Sequence, residues 1–490
     1  MEVIKDSRFT RRQVNSLLVL GLITIVLFVG IFFLPWVIGG SGEVGGPSES
    51  PTTVPPNHNP HRNARSANSP YLEWETNFGG SGDDTVVGAF MFFNEIIIFG
   101  NTTSTDYDFA AATTNSSFFM TKISPTGTLI SHRVQAGELV KVLPITDITN
   151  AADGFLLAVN THHESYVIKT CKLGIESHRT ALRADNSANE KIVYIYIDDF
   201  ASTRNPPFRS NVFHAVMQHT AATDGTNSLR VHLLDANLND NRTHFFRRTG
   251  ESLEFVAAFA VENSFKLFAG LRGHQNSLSF IYFTWPNPHN SDTNHLQGIR
   301  APISGLSSII SIMPSHADGS FILLAKTTGN VATLFRLYNF GSSDTVTRRE
   351  VSSQSASNVA MFGGLNHFYV FENQANNVGN FRRYNKTNFD TIMPHLDNFI
   401  SYRNVDAHSA RSDRTLFVGR TQNTISVADV RTAGLHNERS FNSTTATIQV
   451  VIPVDNSRAI LVGTSGGIGE NIGGHFGRTD IWVTLMRIGN

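Results

Sequence analysis

Residues 95–104 read EIIIFGNTTS, an almost unbroken apolar run that ends in a small residue and a turn rich in Thr and Ser. Short apolar runs of this kind, bounded by turn residues, are typical of β-strands that are buried on both faces. The arrangement returns further along the chain as GFLLAVNTHH at 154–163, SFKLFAGLRG at 264–273, SFILLAKTTG at 320–329, TLFVGRTQN at 415–423 and AILVGTSGG at 459–467. The sequence therefore contains a repeated unit, and each unit has a strand of this buried type.

Another apolar strand follows each of these runs. These following strands are SFFMTKISP from Ser117, SYVIKTCKL from Ser165, LSFIYFTW from Leu278, VATLFRLYNF from Val331, TISVADV from Thr424 and DIWVTLMRI from Asp480. Successive units are spaced by about 44 to 58 residues, the range of propeller blades, each a four-stranded sheet. We therefore predict an all-β fold, a β-propeller.

The spacing favours eight blades. Charged fourth strands such as RTHFFRR and HNERSF suit the exposed outer edge of each blade. Seven blades are the alternative if one of the two divergent stretches, 184–250 or 355–398, is an insertion. The predicted units are 84–137, 138–183, 184–250, 251–302, 303–354, 355–398, 399–442 and 443–490.

The first and last units carry a family resemblance. Residues 72–137 contain Trp74, NFGGSGDDTVVGAF, IIIFGNTTSTDYDF and SFFMTKISPTGTLI, and the last unit contains RAILVGTSGG and RTDIWVTLMRIGN. This resembles the bacterial delta-60 and SBBP-type repeats, with W-x-x-x-F-G-G-S-x-x-D and G-x-T-x-S-x-D-x-D segments. The resemblance covers about 110 residues. It implies a propeller, typically secreted or surface-exposed, and implies no activity.

The two ends of the predicted propeller complement each other. In the family, the third strand of a repeat runs into a G-N-apolar-x-W-x-x-x-F-G-G fourth strand. Here the chain ends at Gly489-Asn490, and residues 71–80 supply YLEWETNFGG. We therefore predict that residues 71–490 form a ring that closes when the N-terminal strand completes the last blade. This places Trp74 beside Trp482 or its neighbours.

A predicted transmembrane helix precedes the propeller. Residues 16–38 carry no charged side chain, and at ~1.5 Å per residue they cross the ~30 Å hydrocarbon layer of a lipid bilayer. Basic residues cluster between positions 5 and 12, and the next one is Arg62. The positive-inside rule then predicts a cytoplasmic tail at 1–15 and a single-pass, type II signal-anchor. A cleaved signal peptide is the alternative, with cleavage near Gly39–Gly42.

Residues 39–70 are rich in Pro, Gly, Ser and Asn and nearly free of large apolar side chains. Such a segment cannot bury enough surface to offset its ordering entropy. We predict a disordered stalk that separates an extracytoplasmic domain, at the cell surface or in a lumen, from the bilayer.

Composition excludes several classes of function. Lys and Arg number 39 against 40 Asp and Glu, so no net field draws the chain to nucleic acid, and no nucleic-acid-binding signature occurs. Cys171 is the single cysteine, which excludes an internal disulfide and a cysteine-based zinc site. We expect Cys171 to be a half-buried strand residue.

Metal and catalytic signals are weak. Asp83, Asp84, Asp106 and Asp108 lie in predicted turns where paired carboxylates suit calcium, although the family repeat carries these acids as turn and capping groups. Histidine pairs lack metal-ligand spacing, and no nucleophile elbow or phosphate-binding loop is present. We expect no cofactor and name no catalytic residue.

Glycosylation is permitted at five N-x-S/T sequons, a number that chance alone would supply. A glycoprotein is therefore an expectation only under secretory conditions. The five candidate asparagines are Asn101, Asn115, Asn241, Asn385 and Asn442.

The leading functional hypothesis is a recognition, adhesion or scaffold module that binds a protein or glycan through loops on one propeller face. Two polar insertions, 201–210 and 285–297, motivate it, because loops on a rigid scaffold usually carry binding. One alternative is a hydrolase with a site in the central channel, which requires a convergent cluster of carboxylate, arginine and histidine. The other is a structural surface or assembly component.

Overall fold

A computed structural model describes much of the chain beyond residue 68. The predicted tail and anchor, the predicted stalk up to residue 68, the insertion at 201–210 and most of the insertion at 285–297 lie outside the described residues. Within the described part, we find no helix with the length and apolarity needed to cross a bilayer. The described ranges are 69–112, 116–146, 152–171, 174–182, 190–198, 212–221, 225–246, 251–261, 264–272, 278–286, 297–315, 320–338, 345–351, 358–363, 367–373, 379–386, 391–393, 404–411, 414–420, 423–431, 434–443, 445–466 and 479–489.

The described residues are almost entirely β-strands, with one 3₁₀ turn at Tyr107–Phe109. In chain order the strands are β1 (Leu72–Phe78), β2 (Asp84–Phe92), β3 (Glu95–Thr102), β4 (Ser117–Ile123), β5 (Leu129–Ala136), β6 (Glu138–Thr146), β7 (Ala152–Asn160), β8 (Ser165–Cys171), β9 (Glu176–Ala181), β10 (Glu190–Asp198), β11 (Val212–Thr220), β12 (Asn227–Leu234), β13 (Asp240–Phe246), β14 (Ser252–Val261), β15 (Ser264–Arg272), β16 (Leu278–Pro286), β17 (Gln297–Pro314), β18 (Phe321–Thr327), β19 (Ala332–Tyr338), β20 (Thr345–Glu350), β21 (Asn358–Gly363), β22 (His367–Asn373), β23 (Gly379–Asn385), β24 (Thr391–Met393), β25 (Asn404–Arg411), β26 (Arg414–Arg420), β27 (Thr424–Arg431), β28 (Gly434–Asn442), β29 (Ala446–Pro453), β30 (Arg458–Ser465) and β31 (Asp480–Arg487).

These strands form antiparallel sheets in chain order. Blades 1, 2 and 3 are β2–β5, β6–β9 and β10–β13, and blades 6 and 7 are β21–β24 and β25–β28. Blades 4 and 5 share one seven-stranded sheet, in which β17 is the outer strand of β14–β17 and the inner strand of β17–β20. Blade 8 has the order β29-β30-β31-β1. Both divergent stretches are blades, so the described residues form eight units and the seven-blade alternative is wrong.

The eight units close into a ring. The first strands of successive blades contact one another in chain order, and β29 of blade 8 contacts β2 of blade 1. Eight clusters of buried apolar side chains lie between neighbouring blades, one at each interface of the ring. Sheets whose two faces both pack on a neighbour explain why the second and third strands read as continuous apolar runs. The fold is a β-propeller.

The first and last strands join the ring. β1 pairs antiparallel with β31, with Asn77 opposite Trp482 and Trp74 opposite Leu485, so the predicted pairing of the ends is present. The Thr484 hydroxyl also donates to the Trp74 carbonyl at 2.6 Å. The two tryptophan side chains serve opposite interfaces, since Trp74 packs between blades 8 and 1 and Trp482 packs between blades 7 and 8.

Strand direction gives the propeller two faces. The first face holds the start of the first strand of each blade, and the second face holds its end. In blade 5 this start is the point near Leu306 where β17 leaves β16 and pairs with β18. The strand ends that flank residues 201–210 (the end of β10 and the start of β11) and 287–296 (the end of β16 and the start of β17) both lie on the second face. The start of β1 lies there too. Both predicted insertions therefore leave from the face to which residues 39–70 are joined.

A bulge recurs in the first strands and explains the small residue that ends the repeated run. The register between first and second strands shifts at a corresponding place in seven of the eight blades, blade 6 being the exception among described residues. Where the shift begins in blades 1 and 8, Val86 pairs with Gly100 and Ile448 pairs with Gly463. A Cβ on Gly100 would overlap the Thr85 carbonyl oxygen, so the bulge of blade 1 requires glycine there. In blades 2 and 3 the bulge is paired with larger residues, Val159 and Met217.

Candidate functional site

The four candidate calcium ligands surround one turn, which joins β1 to β2. Three of them accept backbone N–H groups from that turn: Asp108 from Gly79 at 3.0 Å, Asp84 from Gly80 at 3.1 Å, and Asp106 from Ser81 at 2.8 Å. The fourth, Asp83, donates its own N–H to the Thr103 hydroxyl at 2.7 Å. The carboxylates therefore cap the turn that links the closing strand to blade 1.

Asp84 is the most buried member of this group. Its Oδ1 accepts the hydroxyls of Thr102 at 2.6 Å and Ser104 at 3.1 Å. Burial raises the pKa of Asp84 to about 7, against the lowering effect of these hydrogen bonds, and the nearby Asp480 carboxylate raises it further. A Cβ on Gly79 would overlap Asp480 Oδ1 and stand 3.0 Å from Asp84 Oδ2, so glycine allows both carboxylates to approach the chain here.

This arrangement favours the capping interpretation of the aspartates over the calcium interpretation. Carboxylate oxygens that accept amide and hydroxyl hydrogens are already satisfied by the protein. Across the described ranges, no group of three or more His, Cys, Asp or Glu side chains is arranged to hold a metal ion. The glycine-rich turn therefore has a structural explanation, which the family resemblance anticipated.

The central channel is lined by the first strands. Their partly exposed side chains are mostly apolar and include Val87, Leu143, Phe259, Ile312 and Phe362. Three carboxylates on these strands are each paired with an arginine of the same blade: Glu190 with Arg230, Glu254 with Arg272, and Asp406 with Arg420. Pairs held within separate blades do not form the convergent cluster that the hydrolase hypothesis requires.

A cavity of about 50 Å³ lies between blades 1 and 2. This cavity has room for roughly four water-sized groups, or for a short apolar side chain. Arg133 bridges the two blades there by donating to the Gly174 carbonyl at 3.3 Å. The lining of the cavity is mostly apolar and consists of Phe99, Phe118, Met120, Arg133, Val134, Gln135, Leu157, Ile168, Thr170, Gly174 and Glu176.

Two exposed apolar side chains adjoin this interface on the second face. Ile175, between the lining residues Gly174 and Glu176, is 48% exposed, and Phe93, in the turn between β2 and β3, is 67% exposed. Phe93 stacks edge-on against Phe92, whose ring packs against Phe155 of blade 2. The cavity and these two side chains form what we call the blade 1–2 groove. No linear motif marks it, because its residues come from separate strands.

Phe93 has an unusual backbone. Its φ is +48° and that of Asn94 is +64°, so both central residues of this tight turn are left-handed. Such turns favour Asn, Asp or Gly at both positions, and a side chain like phenylalanine costs about 1–2 kcal/mol in this conformation. The sequence thus keeps an exposed aromatic where a polar residue would fit better. The repeat pattern alone does not reveal this.

The sequons differ in their surroundings. Asn101 donates from Nδ2 to the Leu139 carbonyl at 2.9 Å and accepts the Leu139 N–H at 2.7 Å, so its amide joins blade 1 to blade 2. A glycan on that nitrogen would compete with the inter-blade bond. Asn385 is half-buried at the end of β23, and Asn442 is exposed at the end of β28. Asn115 and the side chain of Asn241 lie outside the described residues.

Cys171 is partly exposed at the end of β8, where a half-buried strand cysteine was expected. Its N–H donates to the Ile175 carbonyl at 2.9 Å, and its carbonyl accepts the Gly174 N–H at 2.8 Å. These bonds shape the turn that carries Ile175. The position of Cys171 is thus explained by the strand and turn that it belongs to.

Comparisons with known proteins give distant structural similarity alone. No protein-family model and no curated protein matches the chain. Among solved structures, a prolyl endopeptidase matches with a TM-score of 0.44 and 9% identity. The match covers 78% of this chain but only 54% of the endopeptidase. Sqt1 of Chaetomium thermophilum, bound to the N-terminus of ribosomal protein L10, matches with a TM-score of 0.48 and 11% identity over 84% of this chain and 98% of its own. An acylaminoacyl peptidase of Pyrococcus horikoshii matches with a TM-score of 0.41 and 7% identity, over 78% of this chain and 57% of the peptidase. At these scores the matches carry no argument about function.

Proposed function

We propose that the protein is a membrane-tethered recognition module that binds a protein partner at the blade 1–2 groove. The observation that carries the proposal is Phe93, an exposed aromatic held in a strained backbone conformation on the second face, where the adjacent Phe92 packs against Phe155 of blade 2. Strain retained at an exposed position is common where a side chain has a binding role. Large aromatics also dominate the energy of protein interfaces.

The chemistry of the groove favours a protein over a glycan. Phe93 and Ile175 offer apolar area, and the cavity between the blades is sized for an apolar side chain. Arg133 adds hydrogen-bond donors at the edge, with a backbone carbonyl as its hydrogen-bond acceptor among the described residues. A partner with an exposed apolar side chain next to a carboxylate would complement both features.

Photo-crosslinking tests the proposed contact. p-Benzoylphenylalanine at position 93 of the full chain should crosslink to the partner on its source membrane, because the ring stays where Phe93 stands. The matched control is position 107, since Tyr107 is also exposed, at 57%, and left-handed, with φ +47°, but lies on the first face. Equal crosslinking from the two positions would contradict the groove as the binding site.

Substitutions provide the second test. Phe93→Asn removes the ring and suits the left-handed backbone, so the fold should be retained while partner recovery falls at least tenfold, equivalent to about 1.4 kcal/mol. Tyr107→Asn is the matched control and should leave recovery unchanged. Recovery of a glycan-bearing ligand that ignores Phe93→Asn would instead favour recognition at the insertions 201–210 and 285–297.

Tethering by residues 16–38 is part of the same proposal. The full chain should remain in the membrane pellet after alkaline carbonate extraction, and a C-terminal tag should be open to protease from outside the cell. Release of the full chain by carbonate would disprove the anchor.

A further inference from the structure

We propose that the central channel contains a binding site for a small organic acid with an apolar or aromatic body, and that Lys141 binds its carboxylate. This site is separate from the blade 1–2 groove and goes beyond the proposed recognition function. It lies on the first strands of blades 2, 3 and 4.

Three side chains from consecutive blades build the site. The Lys141 Nζ lies 3.4 Å from the centre of the Tyr194 ring, in cation–π contact. The Tyr194 ring lies 4.9 Å from the Phe255 ring at an interplanar angle of 38°. All three side chains are partly exposed and stand on the first strands of their blades, and Tyr194 and Phe255 also pack against the core between blades 3 and 4. The result is an aromatic wall with a cation at one end.

The bulge of β6 places Lys141 on this wall. In the pairing of β6 with β7, the register passes from Leu139 to Lys141, so Val140 is the extra residue. Val140 and Leu143 pack against the core between blades 2 and 3. Bulges in strands re-aim side chains, and here the re-aimed side chain is the lysine.

Lys141 lacks a carboxylate partner within the described side chains. The strands that contact β6 are β2, β3, β4, β7 and β10. Each charged group described on them, and Glu138 on β6 itself, has another partner or is exposed. Asp84 accepts from Thr102 and Ser104, Glu95 pairs with Lys122, Glu190 pairs with Arg230, and Glu138 and Lys191 are exposed. Burial lowers the pKa of Lys141 to about 8, as expected for a desolvated amine without a counter-ion.

The surroundings select the ligand class. A lysine ammonium has three hydrogen-bond donors, and an aromatic ring satisfies none of them as strongly as a carboxylate does. One cation between apolar side chains compensates one negative charge, so a monoanion costs less to desolvate there than a phosphate dianion. The aromatic wall beside it, formed by Tyr194 and Phe255, fits a ligand body that is flat or apolar.

Matched probes test the charge requirement. Calorimetric titration of the full chain compares 3-phenylpropanoate with 3-phenylpropanamide, its neutral counterpart. We expect the acid to bind at least about tenfold more tightly than the amide, because the charge-assisted bond to Lys141 is absent with the amide. Equal binding of the two probes, or no binding of the acid up to about 10 mM, a free energy near −3 kcal/mol, would overturn the proposal.

Variants of two lysines test the residue. Lys141→Met should remove the preference for the acid without lowering thermal stability, since it replaces a desolvated charge with an apolar side chain of similar length. Lys191→Met, on the neighbouring first strand β10, is the matched control, because Lys191 is exposed, and should leave the preference intact. An intact preference in Lys141→Met would contradict the assignment.

A pH series separates binding from a structural role. Raising the pH from 7 to 9 should weaken acid binding to the wild type as the Lys141 amine loses its proton. Lys141→Arg keeps its charge across this range, so it should bind the acid with little change between the two pH values. A wild-type affinity that does not fall, or an equal fall in Lys141→Arg, would disprove the role of Lys141.

Discussion

At the scale of single residues, Asp84 shows why a sequence motif and its chemistry can differ. The F-G-G-S-G-D-D segment predicted a turn with either calcium or capping chemistry. The choice depends on which donors surround each carboxylate. These are the backbone N–H groups of residues 79–81 in the turn and the hydroxyls of Thr102 and Ser104. Thr479 accepts the Asp84 N–H at 2.8 Å across the closure of the ring. Sequence spacing does not report such contacts.

The raised pKa of Asp84 predicts a pH-dependent stability. An acid whose folded pKa is about 7 and whose unfolded pKa is near 3.8 is protonated in the folded protein up to about pH 7. Its stabilising effect is therefore complete below about pH 4 and is lost as the pH rises to 7. Asp84→Asn should remove this loss. The free energy of unfolding of the variant minus that of the wild type should therefore be higher at pH 8 than at pH 4 by roughly 2–4 kcal/mol. Urea denaturation at the two pH values measures it.

Asp455 is a control of opposite sign. Hydrogen bonds from Ser457 and Arg458, with the Arg458 charge, outweigh partial desolvation and hold the pKa of Asp455 at about 2. Its stabilising effect is present above about pH 4 and is lost as the pH falls toward 2. Asp455→Asn should therefore be less stable than the wild type at pH 8 and lose that difference below pH 4. The same trend in both variants would contradict the role given to Asp84.

At the scale of strands, the sequence predicted the repeated elements well and their joints less well. The run at 95–104 became β3 at Glu95–Thr102, and the run at 264–273 became β15 at Ser264–Arg272. The boundary predicted at 302 falls inside β17, which serves two blades. Gly305, with φ +70°, lies where β17 changes partners. A strand that passes from one blade into the next within a shared sheet has no turn residues to mark the boundary in its sequence.

The bulge rule makes a prediction about glycine. Gly100→Ala should destabilise the protein by roughly 2 kcal/mol or more, because its Cβ would overlap the Thr85 carbonyl oxygen and meet the Phe119 ring. Gly329→Ala, in the turn before β19, is the control, since the nearest atom to its Cβ is 3.9 Å away. Thermal melting of both variants measures the difference. A Gly100→Ala variant as stable as Gly329→Ala would mean that the bulge can shift to make room.

At the scale of the whole molecule, the ring was predictable because its two ends complement one repeat unit. The groove and the channel wall were not, since each is assembled from strands that lie far apart in sequence. Phe93 and Ile175 come to one interface only after blades 1 and 2 pack together, and Lys141 reaches Tyr194 only across a blade boundary. Sites on a propeller arise from the relation between blades, which the repeat pattern leaves unspecified.

Closure of the ring predicts where the molecule opens first. Trp74 packs between blades 8 and 1, and its indole N–H donates to the Pro125 carbonyl at 2.9 Å, so Trp74→Ala should cost about 3–5 kcal/mol. Hydrogen exchange should rise in both blade 8 and blade 1, which lie at opposite ends of the sequence, while blades 4 and 5 stay protected. Phe283→Ala, a comparable truncation between blades 3 and 4, should raise exchange there instead. Faster exchange confined to β1 in Trp74→Ala would show that the ring holds without its closing strand.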